Sequence, residues 1–221
     1  MENRNKTKKK TRAAVEKLHS GDRGYRSASN IDFLIFIAGL IIAMLAVRAF
    51  VLEPVRVDGP SMMNTLQNDE RCIVEKVSYW FTRPKTGDIV IIRFPGRGSE
   101  NFVKRVIATE GQTIELGEET VTDPETNISR VQYYVLIDGE RLDESQWADT
   151  MLFDEGWKNI PLTCEGSQNG RYTVPKGCVF VMGDHRTNSQ DSRFVGAIPL
   201  HDVVGRLHGV LYPFSDMRKV D

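Results

Sequence analysis

At 221 residues and a net charge of −1, the chain is long enough for one sizeable folded domain plus appendages. Cys72, Cys164 and Cys178 are odd in number and carry no C-x-x-C spacing, which argues against a full disulfide framework or a zinc site and leaves a single Cys164–Cys178 bridge open. The near-zero total hides a polarised layout, with basic residues crowded before residue 30 and an acidic body after it.

Residues 1–30 hold Arg4, Lys6, Lys8, Lys9, Lys10, Arg12, Lys17, Arg23 and Arg26 and few large apolar side chains. Such a segment cannot bury enough surface to offset its ordering entropy, so a disordered cytoplasmic tail is expected. A basic run also suits nucleic acid, but its position just before an apolar segment favours topology, because Lys and Arg are retained on the cytoplasmic side. Residues 31–52 are the expected anchor. Phe33 to Val47 carries no charge and Ala49 to Leu52 continues past Arg48, giving about the twenty residues a spanning helix needs. Arg48 sits close enough to the outer end to snorkel to the headgroups, and Glu53-Pro54 stops the helix. Val47-Arg48-Ala49 loosely fits a signal cleavage site, but the run is too long for a typical signal core. An uncleaved single-pass anchor is therefore expected, with the chain after Glu53 outside the cytoplasm.

Residues 53–221 read as a mainly β domain. Short β-rich runs at Cys72 to Val77, Asp88 to Phe94, Phe102 to Ala108, Tyr133 to Ile137 and Cys178 to Met182 are separated by turn formers such as Lys85-Thr86-Gly87, Pro95-Gly96, Asp138-Gly139 and Pro175-Lys176-Gly177. This spacing suits an antiparallel arrangement. Residues 112–172 look like an insertion, with polar, irregular stretches at 117–130 and 143–171 and a hairpin across Asp138-Gly139. Tyr79-Trp80-Phe81 suits an interfacial contact, although aromatics beside a strand more often join a core. Asn127-Ile128-Ser129 fits a glycosylation sequon, a motif short enough to occur by chance.

Three polar stretches stand out. Asp58-Gly59-Pro60-Ser61-Met62 follows the apolar segment by a few residues, and a serine there reads as a nucleophile or as an ordinary turn residue. Ser61 is nine residues beyond Leu52, which keeps it within roughly 30 Å of the bilayer even on an extended chain. A nucleophilic serine needs a base, and His185, His201 and His208 fit no recognisable triad pattern. Lys104 lies in an apolar strand run, Phe102 to Ile107; burial there would lower its pKa enough for it to accept a proton, whereas an exposed lysine would not. The third stretch, Gly183 to Arg193, is dense in hydrogen-bonding groups and follows an apolar strand, so it reads as a solvated turn or as a rigid scaffold for a site.

Together these stretches resemble the bacterial type I signal peptidases, membrane-bound Ser/Lys proteases, over about residues 33–212. Ser61-Met62 with Thr65-Leu66 matches the nucleophile motif, Gly87 to Val90 the G-D-I-V strand, Lys104 to Ile107 the K-R-V-I motif, and residues 183–193 the late G-D-N-R-x-x-S-x-D-S-R motif with His185 for Asn. The resemblance implies a signal-peptidase-like antiparallel β domain behind one N-terminal transmembrane helix, without metal or cofactor. It makes Ser61 the nucleophile and Lys104 the general base. Ser189 would orient the lysine, Asp191 and Arg193 would form a supporting ion pair, Asp184 would belong to the same support, and the Ser61 N–H would help stabilise the oxyanion. Val57, Met62, Leu66, Phe102 and Val103 would line pockets for the Ala-x-Ala-like ends of signal peptides. The implied partners are preprotein signal peptides and membrane lipid, not nucleic acid, and the implied state is a monomer.

Three departures concern loop geometry: Gly59 where some members have a serine donor, Asn64 where Pro is usual, and Ala108 to Gln112 in place of G-x-P-G-D. Two rivals remain at this level. A self-cleaving Ser/Lys repressor would need a DNA-binding domain and no anchor, and an inactive tethered homologue would need more than these departures.

Overall fold

The computed structural model describes residue 12 and residues 30–48, 51–96, 98, 100–148, 151–153, 162 and 164–220. The expected tail lies outside the described residues except for Arg12 and Asn30, and so does much of the stretch 149–163. The chain divides into two units, Met1–Ala49 and Phe50–Asp221. In the first, helix α1, Asn30–Arg48, is 19 residues long and apolar enough to cross a membrane.

In the second unit the chain forms thirteen strands among the described residues. They are β1 (Leu52–Arg56), β2 (Arg71–Glu75), β3 (Ile89–Arg93), β4 (Asn101–Thr109), β5 (Thr113–Thr122), β6 (Ser129–Ile137), β7 (Glu140–Arg141), β8 (Met151–Phe153), β9 (Arg171–Thr173), β10 (Cys178–Met182), β11 (Ile198–Pro199), β12 (Val203–Tyr212) and β13 (Arg218–Lys219). All pairings are antiparallel. The main sheet runs β1-β2-β12-β3-β4-β10-β11, with β13 on β12; the smaller sheet runs β7-β6-β5-β9, with β8 on β6. The fold class is therefore the mainly antiparallel β architecture expected.

The apolar run Ile89 to Ile92 is buried throughout because β3 is covered on both faces, Ile89 and Ile91 packing with Val74 and Leu207, and Val90 and Ile92 with Phe94 and Val106. Several strands lie outside the expected runs, among them β1, β8, β9, β11 and β13, and two larger differences stand out. The stretch 117–130 is not irregular: β5 runs to Thr122 and pairs with β6 over nine positions, from Ile114↔Ile137 to Thr122↔Ser129. Its outer half is polar because both faces of that ribbon meet solvent. Strand β12 is the second addition, filling the gap between β2 and β3.

Two apolar clusters set up the site. Ile107, Phe180 and Met182 of the main sheet pack with Ile114, Tyr133 and Val135 of the smaller one, so the two sheets share a core. On the main sheet, Val57, Met62 and Leu66 bury against Val74, Ile89, Ile91 and Leu207. Each such side chain contributes about 1.5–3 kcal/mol by leaving water, enough to fix the irregular segment 57–66 to the sheet. Helix α2, Ser78–Phe81, turns Tyr79 onto the core and leaves Trp80 and Phe81 exposed.

Candidate active site

Ser61 is held by its neighbours rather than by regular structure. Met62 and Leu66 are buried, and Leu66 N donates to Met62 O at 2.7 Å, so the turn after Ser61 is pinned at both ends. On the preceding side Gly59 N donates to the Asn68 side-chain oxygen at 3.0 Å and Val57 N to Glu70 O at 2.8 Å. The Ser61 carbonyl accepts from His185 N at 3.1 Å, which ties the serine to the loop after β10.

Lys104 sits in β4, opposite Val90 of β3, and only 2% of it is exposed. Its Nζ lies 2.7 Å from Ser61 Oγ. Burial lowers the pKa of this lysine from 10.5 to about 8, against the opposing pull of Asp191. A neutral amine facing a serine hydroxyl at hydrogen-bond distance can accept its proton.

Within residues 183–193 a hydrogen-bonded scaffold is built on the buried Gly183, Asp184, Arg186, Asp191, Ser192 and Arg193, while Thr187, Asn188 and Gln190 are exposed. Arg193 Nε and Nη2 donate to the two Asp191 carboxylate oxygens, both at 2.9 Å, and Gly183 N donates to Asp191 at 3.0 Å. Burial opposes the Asp191 carboxylate, yet the Arg193 charge and these donors hold its pKa below the ordinary value. Ser189 Oγ is buried and makes no hydrogen bond of full geometry among the described residues, although its side chain is near enough to the Asp191 carboxylate to help hold that pKa down. A Cβ on Gly183 would stand 2.3 Å from that Oγ and 2.5 Å from Ser61 O, so only glycine lets this loop approach the nucleophile so closely.

Asp184 takes part in a different pair. Arg105 Nε and Nη2 donate to its carboxylate at 2.9 and 2.8 Å, Arg105 Nη1 donates to Gly87 O at 2.8 Å, and the Thr65 hydroxyl donates to Asp184. Lys104 and Arg105 are consecutive and both buried, which alternation in a half-buried strand forbids; β4 is covered on both faces. Arg105 lies in the K-R-V-I motif and Asp184 in the late motif, but nothing in the sequence pairs the two.

A cleft of about 410 Å³ opens beside Ser61, lined among others by Val57, Met62, Phe102, Val103 and Glu100. Of the expected pocket residues, four line this cleft, while Leu66 belongs to the apolar cluster beneath. The His185 ring faces Pro60 O at 3.1 Å, His201 is paired with Asp202 and His208 with Glu75. The three cysteines are free, so the bridge left open by the sequence is not formed. Among the described residues no group of three His, Cys, Asp or Glu side chains could hold a metal ion.

The family model described as "Signal peptidase, peptidase S26" matches residues 30–212, most of the chain. The chain belongs to the signal peptidase family, peptidase S26. As a member of that family it is a peptidase. A signal peptidase I of Bacillus amyloliquefaciens is 36% identical over 177 residues, 79% of this chain and 81% of the relative. A probable signal peptidase I-1 of Synechocystis is 34% identical over 193 residues, 84% and 83% of the two chains. A solved signal peptidase I from Enterococcus faecalis has 26% identity and a TM-score of 0.37, covering 57% of this chain and 97% of that one.

Proposed function

We propose that this peptidase removes N-terminal signal peptides from exported preproteins, using Ser61 as nucleophile and Lys104 as general base. The observation that carries the reading is the 2.7 Å approach of the Lys104 amine to the Ser61 hydroxyl with the lysine buried. The relatives' names support the substrate class.

In this reading the preprotein lies extended in the cleft beside Ser61, its small side chains against Val57, Met62, Phe102 and Val103. Neutral Lys104 takes the Ser61 proton as Oγ attacks the scissile carbonyl. The Ser61 N–H stabilises the oxyanion, and the lysine ammonium returns the proton to the leaving amine. Water then cleaves the acyl-enzyme by the same proton route. Ser189 orients the ammonium, and the Asp191–Arg193 pair with Asp184 holds the loop that carries Ser189. Helix α1 anchors a single-pass monomer in lipid, with the basic tail in the cytoplasm and the catalytic unit outside it.

The family membership and the relatives' names do not favour a repressor, and intact Ser61 and Lys104 weigh against an inert homologue. The test incubates the detergent-solubilised full chain with a preprotein beside Ser61→Ala. The wild type should release the signal peptide, and the variant should lose activity by several orders of magnitude. Equal cleavage by both would reject Ser61 as nucleophile.

A further inference from the structure

The segment between β7 and β8 reaches across to the catalytic loop. The Glu144 carboxylate accepts from both terminal nitrogens of Arg186, with Nη1 to Oε2 at 2.8 Å. The Arg186 side chain is 0% exposed and that of Glu144 13%. Arg186 Nε donates to Gly183 O at 3.0 Å, and Arg193 Nη2 donates to Arg186 O at 2.7 Å. Trp147, one turn beyond Glu144, places its ring 4.4 Å from the Arg105 guanidinium carbon and 5.9 Å from that of Arg186. Cation–π contact of this kind holds a guanidinium in place when water is excluded.

Both guanidinium groups are fastened to the loop that touches the nucleophile. Arg186 grips Gly183, Arg105 grips Asp184, and the next residue, His185, donates its N–H to Ser61 O. Two side chains from outside the matched catalytic motifs thus meet both cations that fix Gly183 and Asp184.

We propose that Glu144 and Trp147 are positioning residues for the Ser61–Lys104 pair, clamping Arg186 and Arg105 so that residues 183–185 stay packed against Ser61 and the loop stays closed over Lys104. Neither residue touches substrate. Their removal changes the reaction because a displacement of about 1 Å at a reacting centre lowers turnover strongly. A loosened loop also readmits water to Lys104, which then deprotonates only at higher pH. This inference rests on the Ser/Lys reading above.

The test compares Glu144→Gln, Glu144→Asp, Trp147→Leu and Trp147→Phe with wild type in the detergent-solubilised full chain, using a peptide with an Ala-x-Ala cleavage site. Circular dichroism and the thermal midpoint identify the variants folded at the assay temperature. In folded Glu144→Gln and Trp147→Leu, kcat should fall about ten- to hundredfold with KM within about twofold. The acid limb of kcat/KM should move to higher pH. Glu144→Asp and Trp147→Phe, which keep the charge and the ring, should recover part of kcat; where the more severe variants do not fold, these two must show the same changes at smaller size. An unchanged kcat or an unmoved acid limb in folded variants overturns the proposal, leaving the clamp as fold stability alone. Ser61→Ala runs alongside: if it stays active the dyad reading fails, whereas if it is dead and the clamp variants behave as wild type only this inference fails.

Discussion

Lys104 Nζ stands 2.7 Å from Ser61 Oγ in a strand where the lysine is 2% exposed. Such a site disfavours the ammonium, and its cost falls on the stability of the protein. The unfolded chain keeps the proton up to the ordinary 10.5, whereas the folded chain releases it at about 8. Between those values the unfolded state binds more protons, so stability rises with pH; below 8 the full cost is present, and above 10.5 it is gone. The cost is about 3 kcal/mol at neutral pH, from about 1.4 kcal/mol per unit. Lys104→Met should therefore be the more stable protein at pH 7, by about that amount. Denaturant titration should show the advantage shrinking through the alkaline range, and an advantage that did not depend on pH would mean that the lysine is not desolvated.

Gly183→Ala should damage the site while the rest of the fold survives. The added methyl meets Ser61 O, a backbone atom, at 2.5 Å, and so cannot be accommodated by a rotamer change. Overpacking of this kind costs about 1–3 kcal/mol. Turnover should fall by more than about tenfold, because relief requires moving the nucleophile or its loop. Wild-type turnover in a folded variant would show that the loop does not constrain Ser61.

The Asp191 carboxyl is held below its ordinary pKa, with burial opposed by Arg193. A carboxylate with a depressed folded pKa stabilises above the unfolded value and loses that contribution as pH falls through the folded one. Asp191→Asn should thus be markedly less stable than wild type at pH 7, and the gap should narrow below pH of about 3.9. Denaturation midpoints of the two proteins across that range give the answer, and a gap that stayed constant to low pH would rule out the charge as its source.

Cys164 and Cys178 are unbridged, and burial raises the pKa of both thiols, so neither is an activated nucleophile. Replacing both with serine should preserve cleavage, with a stability loss of about 1–3 kcal/mol from the buried hydroxyl at position 164. Preprotein assays with and without a thiol reductant should agree. Loss of activity in a folded double variant would give these thiols a role that their surroundings do not suggest.

What the sequence made legible is what carries local chemistry. The apolar runs at Ile89–Arg93 and Cys178–Met182 are strands because β-branched residues recur there between turn formers, and Ser61 and Lys104 stand out by residue type and motif alone. Strand β12 was hidden by Gly205 and Gly209, which look like breakers. They are small because Glu75 O and Arg218 O would each lie 2.5 Å from a Cβ there. Arg105 and Asp184 lie 79 positions apart, and Arg186 and Glu144 lie 42 apart. Pairings at that separation are set by the sheet order, which no local periodicity encodes.

The Ser61–Lys104 pair is tested most directly by the pH dependence of kcat/KM for the full-length protein on a peptide with an Ala-x-Ala site. Activity should rise through one ionisation near pH 8 as Lys104 loses its proton. Lys104→Arg, which keeps the charge and cannot deprotonate, should fold and stay inactive across the range. Near-native turnover by Lys104→Arg, with that activity lost on adding His185→Ala, would contradict the dyad and make His185 the base.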